Sequence, residues 1–277
     1  MTSNKINIPT VLITGCSKGG IGSALAEAFH ERGLHVFATA RSISKMSQLE
    51  NLPNVTLLEL DVTCSCSIAT AVETVTGLTG GQLNYLINNS GVGITLPILD
   101  TDLAKAKQLF DVNLWGTVAV TQAFAPLVIA AKGTIANNAS LAAVLPAPWL
   151  GFYSASKAAI KAYTETLRHE MGPFNVKVVL LMTGVVETNL FNNFTRLSLP
   201  ENSLYKGAAK EIATEPKMTK MPAADYAQRV VSDLLAGANG SVWRGKMASI
   251  CWLMSSFVPT WLMDRALTKG RGLEHVG

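Results

Sequence analysis

The chain has 277 residues, 48% of them hydrophobic and 15% charged, so it can bury a large core, which excludes a disordered protein. The formal net charge is only +4 with no cluster of Lys and Arg, and this argues against a nucleic-acid-binding protein. The four Cys and four His lack metal-ligand spacing, so we expect no metal site and reduced thiols in the cytoplasm. No secretory signal is recognisable, and no run reaches the roughly 18 apolar residues of a membrane-spanning helix.

Short apolar runs alternate with helix-length amphipathic segments along the first two thirds of the chain. Strands are predicted at residues 11–13, 34–40, 55–60, 85–88, 134–137 and 176–182. Helices are predicted from residue 21 to a stop at Gly33, around 43–50, 66–77 and 102–131, and over 154–171. This alternation predicts a parallel sheet covered on both faces, with a ligand crevice at the carboxyl ends of its strands. We therefore expect residues 1–277 to form a single doubly wound Rossmann-type α/β domain.

Two segments depart from this rhythm. Residues 184–222 are rich in Asn, Pro, Lys and Thr, which is typical of a lid or substrate loop. The extension at 250–277 begins with an apolar stretch, Ile250 to Met263, which contains two Trp residues and is followed by Arg265, Lys269 and Arg271. It is too short to span a bilayer, and it suits either an interfacial membrane segment or a cover packed over the substrate pocket or a partner subunit.

A glycine-rich loop joins the first strand to the first helix. Its sequence from Thr14 to Gly22 contains four glycines, which allow a tight turn and let the backbone approach a pyrophosphate at the helix N-terminus. The second strand ends in Arg41 and Ser42 rather than in the acidic residue that binds the ribose 2′-hydroxyl of NAD. A guanidinium pairs well with a 2′-phosphate, and Lys18 adds a second positive charge. This pattern predicts NADPH/NADP⁺ as the cofactor.

A second group of residues points to proton transfer. Tyr153 and Lys157 lie four apart at the start of a predicted helix, so the ammonium group lies near the phenol and is expected to lower the pKa of Tyr153. Ser140, thirteen residues before the tyrosine, can hydrogen-bond the same carbonyl oxygen. Reduction of a ketone needs such a proton donor beside the carbonyl oxygen as a hydride reaches the carbon.

Together these motifs resemble the single-domain short-chain dehydrogenase/reductase family over about residues 10–190. The resemblance rests on the loop at 14–22, Asp61-Val62, Asn88 to Gly91, Asn113, Ser140 and the Tyr153-x-x-x-Lys157 motif. It implies a mostly parallel seven-stranded sheet, a homo-oligomer assembled through helices 102–131 and 153–171, and a small-molecule ketone or alcohol as substrate. Three departures are a glycine loop one residue longer than usual, Ser90 in place of the usual Ala, and Thr183-Gly184 in place of the usual Pro-Gly.

The resemblance also assigns roles to individual residues. Tyr153 is the general acid and base, Lys157 binds the nicotinamide ribose, Ser140 orients the carbonyl, and Asn113 holds a water of the proton relay. Asp61 is expected to contact the adenine amine, Val62 the adenine ring, and Asn89 the ribose region. The full set of predicted cofactor contacts is Gly15, Ser17, Lys18, Gly20, Ile21, Gly22, Arg41, Ser42, Asp61, Val62, Asn89, Gly91, Tyr153, Lys157, Val186 and Thr188.

The substrate is expected to be apolar. The chain is similar to the fungal branch of the family that reduces 1-acyldihydroxyacetone phosphate, on motifs around Tyr153 and in the tail from Trp243 to Leu262. The alternatives are a tailoring ketoreductase or dehydrogenase of fungal secondary metabolism, and a non-catalytic cofactor-binding scaffold on a lipid surface. A cytoplasmic location is expected, with peripheral contact to endoplasmic reticulum or lipid droplets through the tail. Candidate pocket-lining residues are Leu190, Phe191, Phe194, Leu197, Pro146, Trp149 and Phe152.

Overall fold

The computed structural model describes residues 5–189, 195–196, 198–214 and 218–276. Seven strands, all paired in parallel, form one sheet in the order β7-β6-β5-β4-β1-β2-β3. They are β1 Thr10–Ile13, β2 His35–Ala40, β3 Val55–Glu59, β4 Tyr85–Asn88, β5 Thr134–Asn138, β6 Lys177–Thr183 and β7 Gly240–Arg244. The strand order reverses between β1 and β4, and the crevice at that reversal is where such sheets bind ligands. The predicted doubly wound α/β fold is confirmed.

Helices follow the strands and cover both faces of the sheet. They are α1 Ile21–Glu31, α2 Ser65–Thr79, α3 Leu103–Phe110, α4 Thr117–Ala131, α5 Gly151–Met171, α6 Ala209–Ala213, α7 Ala223–Leu235, α8 Ala248–Phe257 and α9 Thr260–Thr268. The first of them ends as predicted, because Gly33 takes a left-handed conformation with φ of 79°.

Two apolar cores lie on opposite faces of the sheet. Successive side chains of a strand point to opposite faces, so Val11 and Ile13 join one core while Leu12 joins the other. The first core is closed by α1 and α7, and the second by α2 and α4, as shown by the buried Phe29 and Phe124. Burial on both faces explains why the strands read as continuous apolar runs.

The predicted helix at 102–131 differs from the observed one in a way that matters for the site. A π-helical turn, Asp111–Gly116, separates α3 from α4 and carries Asn113. By length and composition the stretch Leu103–Ala131 is apolar enough to cross a membrane, so the expectation that no such segment exists is wrong. It nevertheless packs on the sheet through Phe124 and Val128, as core helices do. The predicted helix at 43–50 is a 3₁₀ segment, Ile43–Leu49.

Candidate active site

The four predicted catalytic residues come together beside the carboxyl ends of β4 and β5. Tyr153 and Lys157 lie one turn apart near the start of α5, and the Lys157 Nζ atom is 5.9 Å from the centre of the phenol ring. Ser140 follows β5 and hydrogen-bonds the Tyr153 side chain. Asn113 is tied to the same helix, because its Nδ2 atom donates to the Ser156 Oγ atom at 3.0 Å.

Lys157 is a buried cation with a defined anchor. Its Nζ atom donates to the backbone oxygen of Asn138 at 2.8 Å. Burial disfavours the charged form and lowers the pKa of Lys157 to about 8. Gly91, after β4, lies beside this ammonium, because a Cβ atom built on it would be 3.5 Å from the Lys157 Nζ atom, an ordinary contact distance.

Tyr153 departs from the expected titration behaviour. The sequence predicted that Lys157 lowers the pKa of the phenol, yet burial raises the pKa of Tyr153 above its ordinary value. The hydrogen bond to Ser140 acts in the opposite direction and is the smaller effect. In the protein alone, therefore, Tyr153 is a neutral phenol at pH 7, which is the form needed to donate a proton.

Asn113 has a structural role that its sequence context did not reveal. Its Oδ1 atom accepts from the Val92 nitrogen at 2.8 Å, and its Nδ2 atom donates to the Val92 oxygen at 2.9 Å. These bonds join the loop after β4 to the π-helical turn. The predicted role of Asn113 in holding a relay water stays a prediction.

A chain of hydrogen bonds that sequence reasoning missed runs across the carboxyl ends of the strands. Thr183 donates to the Asn138 Oδ1 atom at 2.5 Å, so the Tyr226 hydroxyl, 2.6 Å away, is the donor to Thr183. The Asn138 amide donates to the Asn89 Oδ1 atom at 2.9 Å, and the Asn89 amide donates to the Thr14 oxygen at 3.0 Å. Asn138 is the centre of this network, because its backbone oxygen also holds Lys157.

This network explains a departure from the family pattern. Thr183 stands where proline is usual, and its hydroxyl connects β6 to β5 and to the fully buried Tyr226 on α7. Asn89, predicted to contact the ribose, has its amide engaged in holding the glycine loop. The pair Asn137-Asn138 at the end of an apolar strand could have indicated a polar network. The partners of Asn138 are remote in sequence and could not be identified from it.

The glycine loop forms a cradle suited to a diphosphate. A Cβ atom on Gly22 would lie 2.4 Å from the Gly15 oxygen, so only glycine allows the helix to start this close to the loop. Gly15 itself has φ of 75°, a conformation that favours glycine. No side chain caps the N-terminus of α1 at Gly20, which leaves the first amides of the helix for an anion. Ser17 and Ile21 belong to the same turn.

Three exposed cations lie on the glycine loop and on the neighbouring segment after β2. The Cys16 nitrogen donates to the Thr39 oxygen at 2.8 Å, and the Lys18 nitrogen donates to the Lys45 oxygen at 2.9 Å. These bonds hold the loop against the turn that carries Arg41 and Ser42. Lys18, Arg41 and Lys45 are all exposed there, and among the described residues none of them forms an ion pair. The residues therefore fit a 2′-phosphate, and Lys45 adds to the predicted set.

The predicted adenine contacts lie at the end of β3. The Asp61 carboxylate accepts from the nitrogen and hydroxyl of Thr63 at 2.9 and 2.7 Å. The bond from the Thr63 nitrogen is the main reason that the pKa of Asp61 lies below its ordinary value, and Arg41 adds a weaker attraction. Val62 is buried and faces Gly116 of the π-helical turn. Both residues border the same edge of the cleft as Arg41.

The predicted contacts at the nicotinamide end begin the substrate loop. Val186 is buried and pairs with Met221, and Thr188 follows it. Asn189 was not predicted, yet its nitrogen donates to the Gly19 oxygen at 3.0 Å and its amide to the Lys18 oxygen at 3.3 Å. This residue fastens the start of the loop to the glycine turn. The candidates Leu190, Phe191, Phe194 and Leu197 lie outside the described residues.

The substrate side of Tyr153 is apolar. The tyrosine packs with Ile94, Leu96 and Leu109, and Phe110 and Leu199 border this group. These apolar surroundings favour an apolar substrate.

Among the described residues, no group of three or more His, Cys, Asp or Glu could hold a metal ion.

Trp149, a candidate for the pocket lining, has another role. Its indole nitrogen donates to the Arg271 oxygen at 2.9 Å, and its ring meets Tyr205 edge-on with centroids 5.4 Å apart. It is buried with Ala208 and Ile212. Trp149 thus anchors the substrate loop and the C-terminal tail beside the catalytic helix. Phe152 is half-buried and Pro146 is exposed.

Comparison with known proteins places these features in context. The profile of the short chain dehydrogenase family matches residues 9–197, a range that contains the cradle and the Tyr153 group. The chain is 48% identical over 268 residues to the short-chain dehydrogenase ptmH of Penicillium ochrochloron, covering 95% of this chain and 98% of that protein.

Two further similarities bear on the chemistry. The chain is 43% identical over 199 residues to the NADPH-dependent 1-acyldihydroxyacetone phosphate reductase of Schizosaccharomyces pombe, covering 70% of this chain and 67% of that enzyme. Among solved structures, a short chain dehydrogenase from Burkholderia cenocepacia in complex with NADP superposes with a TM-score of 0.76 at 28% identity. That superposition covers 95% of this chain and 99% of the other.

Proposed function

The chain belongs to the short-chain dehydrogenase/reductase family of oxidoreductases, and on that premise we propose that it reduces an apolar ketone to a secondary alcohol with NADPH. The observation that carries the proposal is the arrangement of Tyr153, Ser140 and Lys157 beside a cradle that fits a dinucleotide. A buried phenol that is hydrogen-bonded to a serine hydroxyl can donate its proton to a carbonyl oxygen placed beside both groups.

The catalytic roles follow from these contacts. When bound, NADPH supplies the hydride that reaches the carbonyl carbon. Tyr153 donates its phenolic proton to the carbonyl oxygen, so the C=O bond becomes CH–OH and the tyrosine is left as a phenolate. Ser140 donates a hydrogen bond to the same oxygen and orients it. The ammonium of Lys157, fixed by the Asn138 oxygen, stabilises the phenolate.

The choice of NADPH over NADH rests on the cations at the cradle. Lys18 on the glycine loop, and Arg41 and Lys45 after β2, are the cations that would hold a 2′-phosphate. No acidic residue directly follows β2 to receive a 2′-hydroxyl. The Schizosaccharomyces pombe relative is NADPH-dependent, and the Burkholderia structure contains NADP. Both agree with the charge of this site.

A long apolar ketone is the substrate class that we propose, with 1-acyldihydroxyacetone phosphate as the leading candidate. The apolar group around Tyr153 favours an acyl chain, and a relative at 43% identity carries the name of that reductase. A second candidate is a tailoring ketoreductase or dehydrogenase of fungal secondary metabolism. It is favoured by the match to a Penicillium short-chain dehydrogenase over 95% of this chain, against 70% for the reductase.

A non-catalytic scaffold is the least favoured role. Such a protein has no need of Tyr153, Ser140, Lys157 and Asn113, all of which are present and brought together here. Tight binding of NADPH without turnover of any carbonyl compound would favour it.

We also propose that the chain forms a homo-oligomer through the helices at 102–131 and 153–171. Leu103 and Trp115 expose more than half of their surface on the first of these segments. Sedimentation velocity tests this proposal, and a monomer at micromolar concentration would contradict it.

The deciding experiment follows the oxidation of NADPH by absorbance. The substrates are a 1-acyldihydroxyacetone phosphate, its deacylated parent, and a panel of apolar ketones without phosphate. Fast turnover of the acyl phosphate alone supports the lipid role. Turnover of the phosphate-free ketones alone keeps the mechanism and supports the second candidate, and no turnover of any ketone by protein that binds NADPH contradicts the proposed function.

A further inference from the structure

The helices α8 and α9 carry a row of large apolar side chains turned to solvent. Ile250, Leu253 and Phe257 are spaced three and four residues apart, so they share one side of α8. Trp261 continues the row on α9 after the bend at Pro259. Phe257 and Trp261 are 72% and 68% exposed. We call these four large residues, Ile250, Leu253, Phe257 and Trp261, the outer apolar face.

The opposite side of the same helices is firmly packed on the body of the protein. Cys251 and Met263 are buried against Leu145, and Met254 and Val258 complete the cluster. Leu145 belongs to the segment that leads from Ser140 to the catalytic helix. The helices are therefore held on the body of the protein beside the active site. Their inward side chains are already buried, so the outer apolar face is not needed for this packing.

Cations and a surface groove lie next to the outer apolar face. Arg265 follows Trp261 by four residues on α9, and Lys269 follows at the end of that helix. Among the described residues neither forms an ion pair. A groove of about 590 Å³ lies between α9 and the tail. It is lined by Arg265, Thr268, Lys269, Leu273 and Glu274. Two cations against one carboxylate make it suited to a phosphate group.

We propose that α8 and α9 attach the protein to an anionic lipid surface, with the outer apolar face in the acyl boundary and lipid phosphates at the groove. The ten residues of α8 measure about 15 Å, half of the roughly 30 Å hydrocarbon core, so the helix lies in the interface. Exposed Trp and Phe side chains beside Arg and Lys are typical of such segments.

Charge favours lipid over a second copy of the chain as the occupant of this face. In a two-fold dimer both copies use the same patch, so the Arg265 and Lys269 side chains of both copies would lie in one interface. An anionic membrane instead attracts each of these side chains. Lys246, which precedes α8, adds a third positive charge at the other end of the segment.

The test is flotation of the full chain with two kinds of vesicle, phosphatidylcholine alone and phosphatidylcholine mixed with phosphatidylserine. The double variant Phe257→Ser/Trp261→Ser removes the two most exposed members of the face. Its matched control, Phe174→Ser/Leu235→Ser, removes two exposed apolar side chains elsewhere. Thermal unfolding of every variant, followed by circular dichroism, checks that the fold is kept.

We expect the wild type to float with the mixed vesicles, and the first variant to lose about 30-fold in partition coefficient while the control changes little. Arg265→Gln/Lys269→Gln should lose about tenfold on mixed vesicles and little on phosphatidylcholine alone. Failure of the wild type to float, or flotation of Phe257→Ser/Trp261→Ser equal to wild type, would overturn the proposal. A concentration-dependent dimer that this variant abolishes, without flotation, would assign the face to a second copy. None of these readouts depends on catalysis.

Discussion

Replacing Arg41 by alanine should weaken the selection of NADPH without harming the reduction chemistry. The guanidinium lies at the end of β2, beside the glycine loop that is held by the bond from the Lys18 nitrogen to the Lys45 oxygen. Arg41 forms no ion pair among the described residues, so its removal leaves no buried charge behind. The change acts mainly on the cofactor phosphate, and it also removes the weaker attraction between Arg41 and Asp61.

The size of the effect follows from exposure. A hydrogen bond to a charged partner contributes roughly 1.5–3 kcal/mol, and an exposed site lies at the lower end because water screens it. A loss of about 1.5–2 kcal/mol corresponds to an increase of roughly 10- to 30-fold in the KM for NADPH. Lys18 and Lys45 remain and prevent a larger loss.

Steady-state rates with NADPH and with NADH measure this prediction. The KM for NADH should stay within about twofold of wild type, since NADH has no 2′-phosphate to lose. Arg229→Ala, at an exposed arginine of α7, is the matched control and should change neither KM. An equal rise in both KM values, or none in either, would refute the assignment of Arg41 to the 2′-phosphate.

Three further perturbations probe the active site and its supports. The rate of reduction should fall about tenfold per pH unit above about pH 8. The Lys157 ammonium persists below its pKa of about 8 and is lost above it. A profile of kcat/KM against pH measures this fall. Thr183→Val should lower the free energy of unfolding by about 1–3 kcal/mol, because it leaves the buried Tyr226 hydroxyl without its acceptor; urea denaturation measures this. Trp149→Phe should cost about 1 kcal/mol and speed proteolysis of the tail, because the bond to the Arg271 oxygen is lost.

The pH profile has a contradicting result, and each of the two substitutions has a matched control. A rate of reduction that is flat from pH 7 to about pH 10 would exclude Lys157 as the titrating group. Thr183→Ser keeps the hydroxyl and should stay close to wild type; equal losses in the Ser and Val variants would show that the methyl group matters instead. Trp115→Phe changes an exposed indole and should leave the tail as resistant as before.

The sequence predicted the fold because local and long-range signals agree. The strands are apolar enough to be buried on both faces, and Gly33 ends α1 as expected. The glycine loop and the Tyr153-x-x-x-Lys157 motif are short-range patterns, so their geometry follows from one turn or one helix. These parts of the site needed no knowledge of distant contacts.

The parts that escaped prediction depend on partners remote in sequence. Asn138, Thr183 and Tyr226 meet because β5, β6 and α7 come together at the carboxyl ends of the strands. Trp149 was predicted to line the pocket. Its hydrogen bond to the backbone oxygen of Arg271, 122 positions later, could not be anticipated from the sequence. The pKa of Tyr153 was expected to fall because spacing shows its neighbouring cation but not its burial, which is the larger effect.

The central claim is that Tyr153 donates the proton in an NADPH-dependent ketone reduction. The most direct test compares Tyr153→Phe with wild type in NADPH oxidation and in NADPH binding, followed by the fluorescence of the bound nicotinamide. The account predicts that ketone reduction falls by at least about 10³-fold while the Kd for NADPH changes less than about threefold. A variant that binds NADPH and still reduces the ketone at a rate near wild type would contradict the mechanism.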